Sequence, residues 1–254
     1  MSRVPALRPR LQPWWRVRHA ILQAWIAPAA NAAPPGVVLK TDLFDEASGP
    51  HHHARGLWGD SLFLGVDHDP GVVQQARDRL RSEGRAALCL VADVRRLPLA
   101  GSTIPLVISL STLDHFSAVS EIDASLREIW RVLRPGSRLL LTLDNPANPE
   151  VALRRALPQA MVLRLRADAF FLGETLPAAA GSEALRASGF HVDSVRFLLH
   201  AVRYPTIRLL ALLDRFLPSL LPWFERLVTG AEILDRLPTR VFTGHYTAWI
   251  ARKV

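Results

Sequence analysis

The segment "RVLRPGSRLLL", residues 131–141, joins the end of a helix to a buried strand. Apolar residues recur at three- and four-residue intervals over 120–133, which predicts an amphipathic helix. Pro135 and Gly136 end that helix, and 137–143 is leucine-rich like a buried strand. A helix, a tight turn and an apolar strand in this order are typical of a parallel sheet covered by helices.

Six further stretches of the chain have the same short, apolar, strand-like character. Helical patterns, such as the one over 71–81, alternate with the first four, as in βαβ units. The last two are predicted to pair as an antiparallel sheet edge, with 204–239 as a helical insertion between them. The sequence therefore predicts an α/β core of the nucleotide-binding type. The stretches are 37–41, 61–66, 87–91, 105–110, 190–199 and 244–251.

Composition narrows the class of protein. With 254 residues and 49% hydrophobic content, the chain can bury the core of one decorated α/β domain. Cys89 is the only cysteine, which excludes a disulfide framework or a cysteine-built metal site within the chain and suits a cytoplasmic location. The net charge of +8 comes almost wholly from arginine. A GC-rich genome or an anionic partner surface would each explain that bias.

Residues 1–35 are a basic, tryptophan-containing extension that is expected to be helical. Its basic start and apolar run are shared with signal peptides, but the run is short and interrupted. Two alternatives remain open: an interfacial helix anchored by Trp14, Trp15 and Trp25, or a helix packed on the domain. The most apolar stretch, 204–228, carries five charged residues, so we expect contact with a membrane surface at most.

Three successive strands of the predicted sheet end in an acid: Asp42, Asp67 and Asp93. In an open α/β sheet, ligands bind outside the carboxyl ends of the strands, so these carboxylates would share one crevice. A carboxylate can accept two hydrogen bonds from the vicinal diol of a ribose. Any single acid could equally form a turn or cap a helix. The series predicts a nucleotide-like ligand.

The segments "GVVLKTDLFDEASG", "LFLGVDHDP", "LVADVRRLPLAGSTIPLVISLSTLDHF" and "IWRVLRPGSRLLLTLDNP" follow one another in this order. Together they resemble the signature segments of class I S-adenosylmethionine (SAM)-dependent methyltransferases, close to the group that methylates small molecules and lipid quinones. The resemblance covers about 36–146. It implies a Rossmann-like, mostly parallel seven-stranded sheet with an antiparallel last strand, a methyltransferase domain over 36–254, and SAM as cofactor.

Carried over position by position, the resemblance implies that Asp42 lies near the methionine amino group of the cofactor, Asp67 binds its ribose and Asp93 bonds its adenine amino group. Such an acid-rimmed crevice suits a cofactor that is cationic at sulfur and amine. The other implied cofactor contacts are His68 beside the ribose acid, the backbone N–H of Val94 at the adenine ring, and Leu110 or Ser111 on the sulfonium side.

One segment departs from that family. Where the family has a D-x-G-x-G-x-G loop, this chain keeps only Gly49 of the glycines. Phe44 and Glu46 stand where side chains should obstruct the ligand. Either the loop takes another path, with Asp45 or Glu46 contacting the methionine moiety, or cofactor binding is lost. The second alternative predicts a catalytically silent, methyltransferase-like binding or scaffold protein.

Methylation of a hydroxyl needs a base within hydrogen-bond reach. His115, with Asp114 beside it, is the best-placed candidate, although it could merely pack under the cofactor. Candidate substrate residues follow strands five and six, where turn formation or bridging to the insertion are the alternatives; they are Asp144, Asn145, His200 and Arg203. The run His51, His52 and His53 is not expected to hold a metal, because consecutive histidines point in different directions.

The insertion at 204–239 is the main clue to the acceptor. Its leucines and aromatic residues give more apolar area than one buried stripe needs, so a lid, a membrane-facing surface and a homodimer interface are all compatible. We expect a small, lipophilic or membrane-held acceptor, methylated at oxygen. Nucleic-acid methylation is disfavoured because the arginines are scattered and no base-methylation motif is present.

Overall fold

The computed structural model describes residues 11–49, 61–157 and 173–254, and seven strands among them form one sheet. Their order is β3-β2-β1-β4-β5-β7-β6. Strands β1 to β5 pair in parallel, and β7 runs antiparallel to β5 and β6. The predicted α/β sheet with its antiparallel last strand is confirmed. The strands are β1 Val37–Lys40, β2 Leu62–Asp67, β3 Ala87–Val91, β4 Ile104–Leu110, β5 Leu133–Asp144, β6 Phe190–Leu198 and β7 Tyr246–Lys253.

Helices cover both faces of the sheet. The last three lie between β6 and β7, so the predicted position of the helical insertion is confirmed. Within the described ranges, no helix is long and apolar enough to cross a membrane. The helices are α1 Gln12–Asn31, α2 Phe44–Ser48, α3 Pro70–Ser82, α4 Val119–Val132, α5 Pro149–Ala156, α6 Ala178–Ala187, α7 Arg203–Phe216, α8 Leu221–Gly230 and α9 Arg240–Thr243. Short 3-10 turns span Leu113–His115 and Ala231–Arg236.

Strand β5 begins earlier than the sequence predicts. Leu133, taken as the last helical residue, already pairs with Ile104 of β4, and regular pairing resumes at Arg138. Between them the chain bulges through Gly136, whose φ of +75° lies in the left-handed region that favours glycine. The Pro-Gly turn therefore sits inside the strand as an irregularity.

Alternate residues of the central strands feed two cores, as the two-residue period of a strand requires. Leu139 and Leu141 pack with α4, α6 and Trp249 on one face. Leu140 packs with α1, α7 and α8 on the other. In α1, Trp14 and Trp25 are buried in that second core, so the structure favours the packing alternative for this helix and contradicts their use as membrane anchors.

Candidate functional site

The strand order reverses between β1 and β4, which places the ligand crevice outside the carboxyl ends of these two strands. The segment that follows β1, residues 41–49, is called here the cofactor loop. Instead of an open glycine turn it contains the short helix α2. Gly49 has a φ of −67°, so its special freedom is not used. Arg79 of α3 donates to the carbonyls of Asp45, Glu46 and Gly49 and so caps the end of α2.

Buried ion pairs hold the cofactor loop in place. The ammonium group of Lys40 lies 2.9 Å from Oε2 of Glu46 and 3.0 Å from Oδ1 of Asp42. Burial alone would lower the pKa of Lys40, but the carboxylates of Asp42, Glu46 and Asp45 raise it above its usual value. Arg18 of α1 pairs with Asp45 at 3.3 Å.

These pairs bear on the predicted methionine contacts. The carboxylates of Asp45 and Glu46 are buried and face cations of this chain. The sequence had instead suggested that one of them contacts the methionine moiety of the cofactor directly. Asp42 is 20% exposed, with Lys40 beside it and Phe44 N–H donating to it at 3.3 Å. Contacts of these three acids with a cofactor stay predictions.

Asp67 is firmly positioned at the end of β2. Its Oδ2 accepts the N–H of Leu43 at 3.0 Å, and its Oδ1 accepts the N–H of Asp69 at 3.0 Å. Burial raises the pKa of Asp67 above its ordinary value, while these two hydrogen bonds oppose the shift. Each carboxylate oxygen has a second lone pair for a ligand hydroxyl, so this residue fits a ribose diol. The neighbouring His68 side chain is 89% exposed.

Asp93, at the end of β3, lies on the rim of the crevice, with 40% of its side chain exposed. Arg95 donates to it through Nε at 2.9 Å and through its backbone N–H at 2.8 Å. The side-chain hydrogen bond from Arg95 lowers the pKa of Asp93, so this acid is held ionised. Val94 is buried in the core, which leaves the predicted adenine contact to its main chain.

A strained residue directly follows strand β4. Leu110 is buried, and Ser111 has a φ of +51°, which is uncommon for a residue with a side chain. Thr142 of β5 holds Ser111 by accepting its N–H through both the carbonyl and the hydroxyl, each at 3.0 Å. The Ser111 hydroxyl donates to Asp114 at 2.7 Å. Such strain is common where a fold positions a functional residue.

Asp114 and His115 occupy the 3-10 turn that follows. Asp114 is fully buried, and its Oδ2 also accepts the N–H of Asp144 at 2.9 Å, so it ties β4 to β5. Its Oδ1 has no hydrogen-bond partner among the described residues. His115 is exposed, and its charge, when present, lowers the pKa of Asp144. The structure thus brings this pair close to Asp144, and its catalytic role stays a prediction.

Asp144 is the centre of a buried charged cluster. Its Oδ2 lies 4.0 Å from Nη1 of Arg154, and its Oδ1 lies 3.8 Å from Nε2 of His245. Burial, followed by repulsion from Asp114, raises the pKa of Asp144 to about 7, while Arg203 and Arg154 oppose the shift. The sequence singled out Asp144 and Arg203 as substrate residues, a role that stays a prediction, and it did not single out His245 and Arg154, which lie in the same cluster. His245 could have been picked out from the sequence, because it lies at the start of the predicted antiparallel last strand. Such a strand begins at the edge of the sheet where the parallel strands end.

Two predicted substrate residues are corrected by the structure. Asn145 is 1% exposed, and its amide donates to the carbonyls of Val241 and Gly244, so it ties β5 to the residues before β7. His200 is 4% exposed, with Nδ1 at 2.8 Å from Thr243 Oγ1 and Nε2 at 2.9 Å from the Phe197 carbonyl. Both side chains have their polar atoms occupied by the protein itself, because they anchor the insertion.

The run of three histidines at 51–53 lies outside the described residues. Within the ranges that the structure covers, no cluster of histidine, cysteine or acidic side chains could hold a metal ion.

Part of the chain matches known methyltransferases in sequence. The family model described as "Methyltransferase domain" matches residues 45–141. The uncharacterized methyltransferase YodH of Bacillus subtilis (strain 168) is 33% identical over 95 residues, which are 37% of this chain and 36% of that protein. This chain therefore matches only about a third of the length of its curated relative.

Solved structures share the whole fold at low identity. Geranyl diphosphate C-methyltransferase from Streptomyces coelicolor A3(2), solved with S-adenosyl-L-homocysteine, is 16% identical with a TM-score of 0.58, over 92% of this chain and 76% of that one. The [4+2]-cyclase SpnF is 18% identical with a TM-score of 0.58, over 91% and 79%. Residues 45–141 therefore match a methyltransferase domain, and the strand order and these neighbours show that the chain has the fold of SAM-dependent methyltransferases.

Proposed function

We propose that this chain transfers a methyl group from SAM to a small, lipophilic acceptor, at an oxygen atom. The observation that carries the proposal is Asp67, a carboxylate fixed by two backbone N–H groups at the carboxyl edge of the sheet with lone pairs left for a diol. The methyltransferase-domain match and the neighbour crystallised with S-adenosyl-L-homocysteine support the choice of cofactor.

The residues that would hold the cofactor lie along one edge. Asp67 would bind the ribose, Asp93 and the main chain of Val94 the adenine, and Leu110 and Ser111 would line the sulfonium side. When bound, SAM supplies a methyl group on a positively charged sulfur. The cofactor loop would contribute a rigid wall, because its helix α2 is held by ion pairs from β1 and α1.

The outer surface of α7 and α8 supports a lipophilic, membrane-held acceptor. Phe216 and Trp223 are 63% and 64% exposed, far more than a soluble surface needs. Arg208, Arg215 and Arg226 are exposed among these residues, and guanidinium groups suit an anionic headgroup layer. We propose that this apolar surface docks on anionic lipid and brings the acceptor to the crevice. The other strongly exposed apolar residues there are Leu209, Leu212, Leu217, Leu220 and Leu227.

A second candidate function is that of a catalytically silent protein, which binds a partner and does not transfer a methyl group. Lys40 already faces Asp42, the acid predicted to lie near the cofactor amine, and the glycines of the loop are absent. The fold also accommodates other activities, since a neighbour of similar TM-score is named a cyclase. Cofactor affinity separates the two functions.

The experiment is calorimetric titration of the full chain with S-adenosyl-L-homocysteine. Methyl transfer predicts measurable binding that Asp67→Asn weakens by about tenfold or more, the equivalent of about 1.4 kcal/mol for lost charge-assisted hydrogen bonds. Asp78→Asn is the matched control, because Asp78 lies on the exposed face of α3 and bonds to Gln74. Absence of heat at high micromolar protein contradicts the methyltransferase proposal and favours the silent protein.

A further inference from the structure

His245 is a buried imidazole whose hydrogen-bonding capacity the described residues leave unused. It is 4% exposed, and neither Nδ1 nor Nε2 has a hydrogen-bond partner among the described residues. A neutral imidazole always carries one donor and one acceptor, and burying both without partners is unfavourable. His200, equally buried, has both nitrogens paired. Unlike His200, His245 is therefore a candidate for contact with a ligand.

The position of His245 fits that role. It directly precedes β7, and its neighbour Tyr246 pairs with Asp144 at the end of β5. Because β7 is antiparallel to β5, its first residues lie at the carboxyl edge of the parallel strands, where the crevice is. The backbone there is fixed: Asn145 N–H donates to the His245 carbonyl at 2.8 Å, and His245 N–H donates to the Leu198 carbonyl at 2.9 Å.

The groups that face His245 come from several elements. Arg18 on α1, Arg154 on α5 and Arg203 on α7 all disfavour its protonated form, and Asp144 on β5 approaches it to 3.8 Å. Burial first, and then these three guanidinium groups, hold the pKa of His245 well below its ordinary value. The Tyr246 ring packs edge-on at 5.1 Å.

This electrostatic setting selects between acceptor classes. The imidazole is neutral near pH 7 and can accept a proton, while the surrounding guanidinium groups stabilise a developing oxyanion. The same positive charges repel an ammonium group. The neighbouring Asp114, which has one buried oxygen without a hydrogen-bond partner among the described residues, adds a further polar atom beside Asp144.

We propose that His245 contacts the acceptor oxygen and removes its proton, and that the acceptor is an acidic hydroxyl, a phenol or enol, rather than an amine. This inference rests on the proposed methyl transfer. The hydroxyl oxygen forms a bond to the methyl carbon as the bond from that carbon to sulfur breaks. The hydroxyl proton passes to His245 and from it to the nearby Asp144 carboxylate, the sulfur leaves as the neutral thioether, and Asp144 then releases the proton to solvent.

The test compares two probes that share the 4-octylphenyl group, 4-octylphenol and 4-octylbenzylamine, with the full chain and labelled SAM at pH 7. The phenol is expected to be methylated and the amine not. His245→Gln is expected to lower kcat on the phenol by about 100-fold or more, the range of general base catalysis. His191→Gln is the matched control, since His191 lies exposed on β6. Affinity for S-adenosyl-L-homocysteine is expected to stay within about twofold in both variants, since neither residue belongs to the proposed cofactor site.

A second readout keeps the outcome independent of turnover. In the full chain with labelled histidine, 4-octylphenol is expected to shift the ring resonances of His245, assigned by their loss in His245→Gln. Methylation of the amine, a kcat unchanged by His245→Gln, or absence of both turnover and a resonance shift contradicts the role of His245. Absence of any S-adenosyl-L-homocysteine binding instead contradicts the proposed methyl transfer itself.

Discussion

The ammonium group of Lys40, at the end of β1, lies 2.9 Å from Oε2 of Glu46 in α2, and both side chains are fully buried. This ion pair stands where related folds are expected to have a flexible glycine turn. A buried charge is tolerated only when it is paired and hydrogen-bonded, so each partner depends on the other. The cofactor loop of this protein is therefore held by internal charge pairing.

Breaking the ion pair between Lys40 and Glu46 is expected to destabilise the protein. Lys40→Met removes the cation that faces the buried Glu46 carboxylate and is expected to lower the free energy of unfolding by about 3–5 kcal/mol. The double change Lys40→Met with Glu46→Leu is expected to recover most of the loss, because the fully buried carboxylate is removed together with its cation and Asp42, the other partner of Lys40, is partly exposed to solvent. Urea unfolding measures both. Losses that simply add in the double variant would contradict the coupling.

Close packing of the loop against β2 gives a second prediction. A Cβ on Gly65 would lie 2.2 Å from Cδ2 of Leu43, a distance that no real contact has. Gly65→Ala is therefore expected to destabilise the protein by about 1–3 kcal/mol through overpacking. Since Leu43 N–H also donates to Asp67, the variant is expected to weaken S-adenosyl-L-homocysteine binding as well.

Adding Leu43→Ala to Gly65→Ala provides the control. The double variant is expected to lose less stability than the sum of the single ones, because the added methyl group then enters space that Leu43 vacates. Thermal unfolding and calorimetry measure the two effects. Additive losses would show that the clash is relieved elsewhere.

Membrane docking is tested by co-sedimentation with vesicles. Phe216→Ser with Trp223→Ser is expected to lower the partition coefficient on vesicles rich in phosphatidylglycerol by about tenfold or more, because each large side chain contributes about 1.5–3 kcal/mol when buried. Leu88→Ser with Val91→Ser is the matched control on the edge strand β3, where both residues are about half exposed. Equal binding by all three proteins would contradict docking through α7 and α8.

His115 yields a separate kinetic prediction. If it assists proton removal from the exposed side of the site, His115→Ala lowers turnover of 4-octylphenol more than it lowers SAM affinity. The fall is expected to be smaller than that of His245→Gln, because solvent can replace an exposed base. Unchanged turnover would remove His115 from the mechanism.

Glu232 predicts a dependence of stability on pH. Its carboxylate accepts the N–H groups of Leu199 and His200, and so stabilises the turn at Leu199, whose φ of +61° is strained. Burial, followed by repulsion from Asp235, raises the pKa of Glu232 to about 7 from its ordinary 4.5. The folded state therefore binds a proton more tightly, and this contribution to stability is complete below pH 4.5 and lost as the pH rises through 7.

The measurement is the free energy of unfolding in urea between pH 5 and 8. Glu232→Gln is neutral throughout and is expected to reduce the decline of stability over this range, whereas Glu183→Gln, on the exposed side of α6, is expected to leave it unchanged. An identical slope in the wild type and in Glu232→Gln would contradict the raised pKa.

The sequence alone determined the sheet and the series of acids at its edge. Strands are short apolar runs and helices repeat every 3.6 residues, so the positions of β1 to β7 and of the insertion were visible without coordinates. Asp67 and Asp93 could be singled out as candidate ligand contacts, because each lies at the end of an apolar run that is recognisable in the sequence. Local signals sufficed for both.

The tertiary structure alone decided how side chains were paired across distant segments. Arg18 meets Asp45 across 27 residues, and His245 meets Asp144 across about 100, contacts that no local pattern encodes. The same pairing removed Asn145 and His200 from the substrate list, because their partners lie in a part of the chain distant in sequence. Burial and hydrogen bonding depend on the folded packing, and for that reason the surroundings of Asp144 and His245 became visible only there.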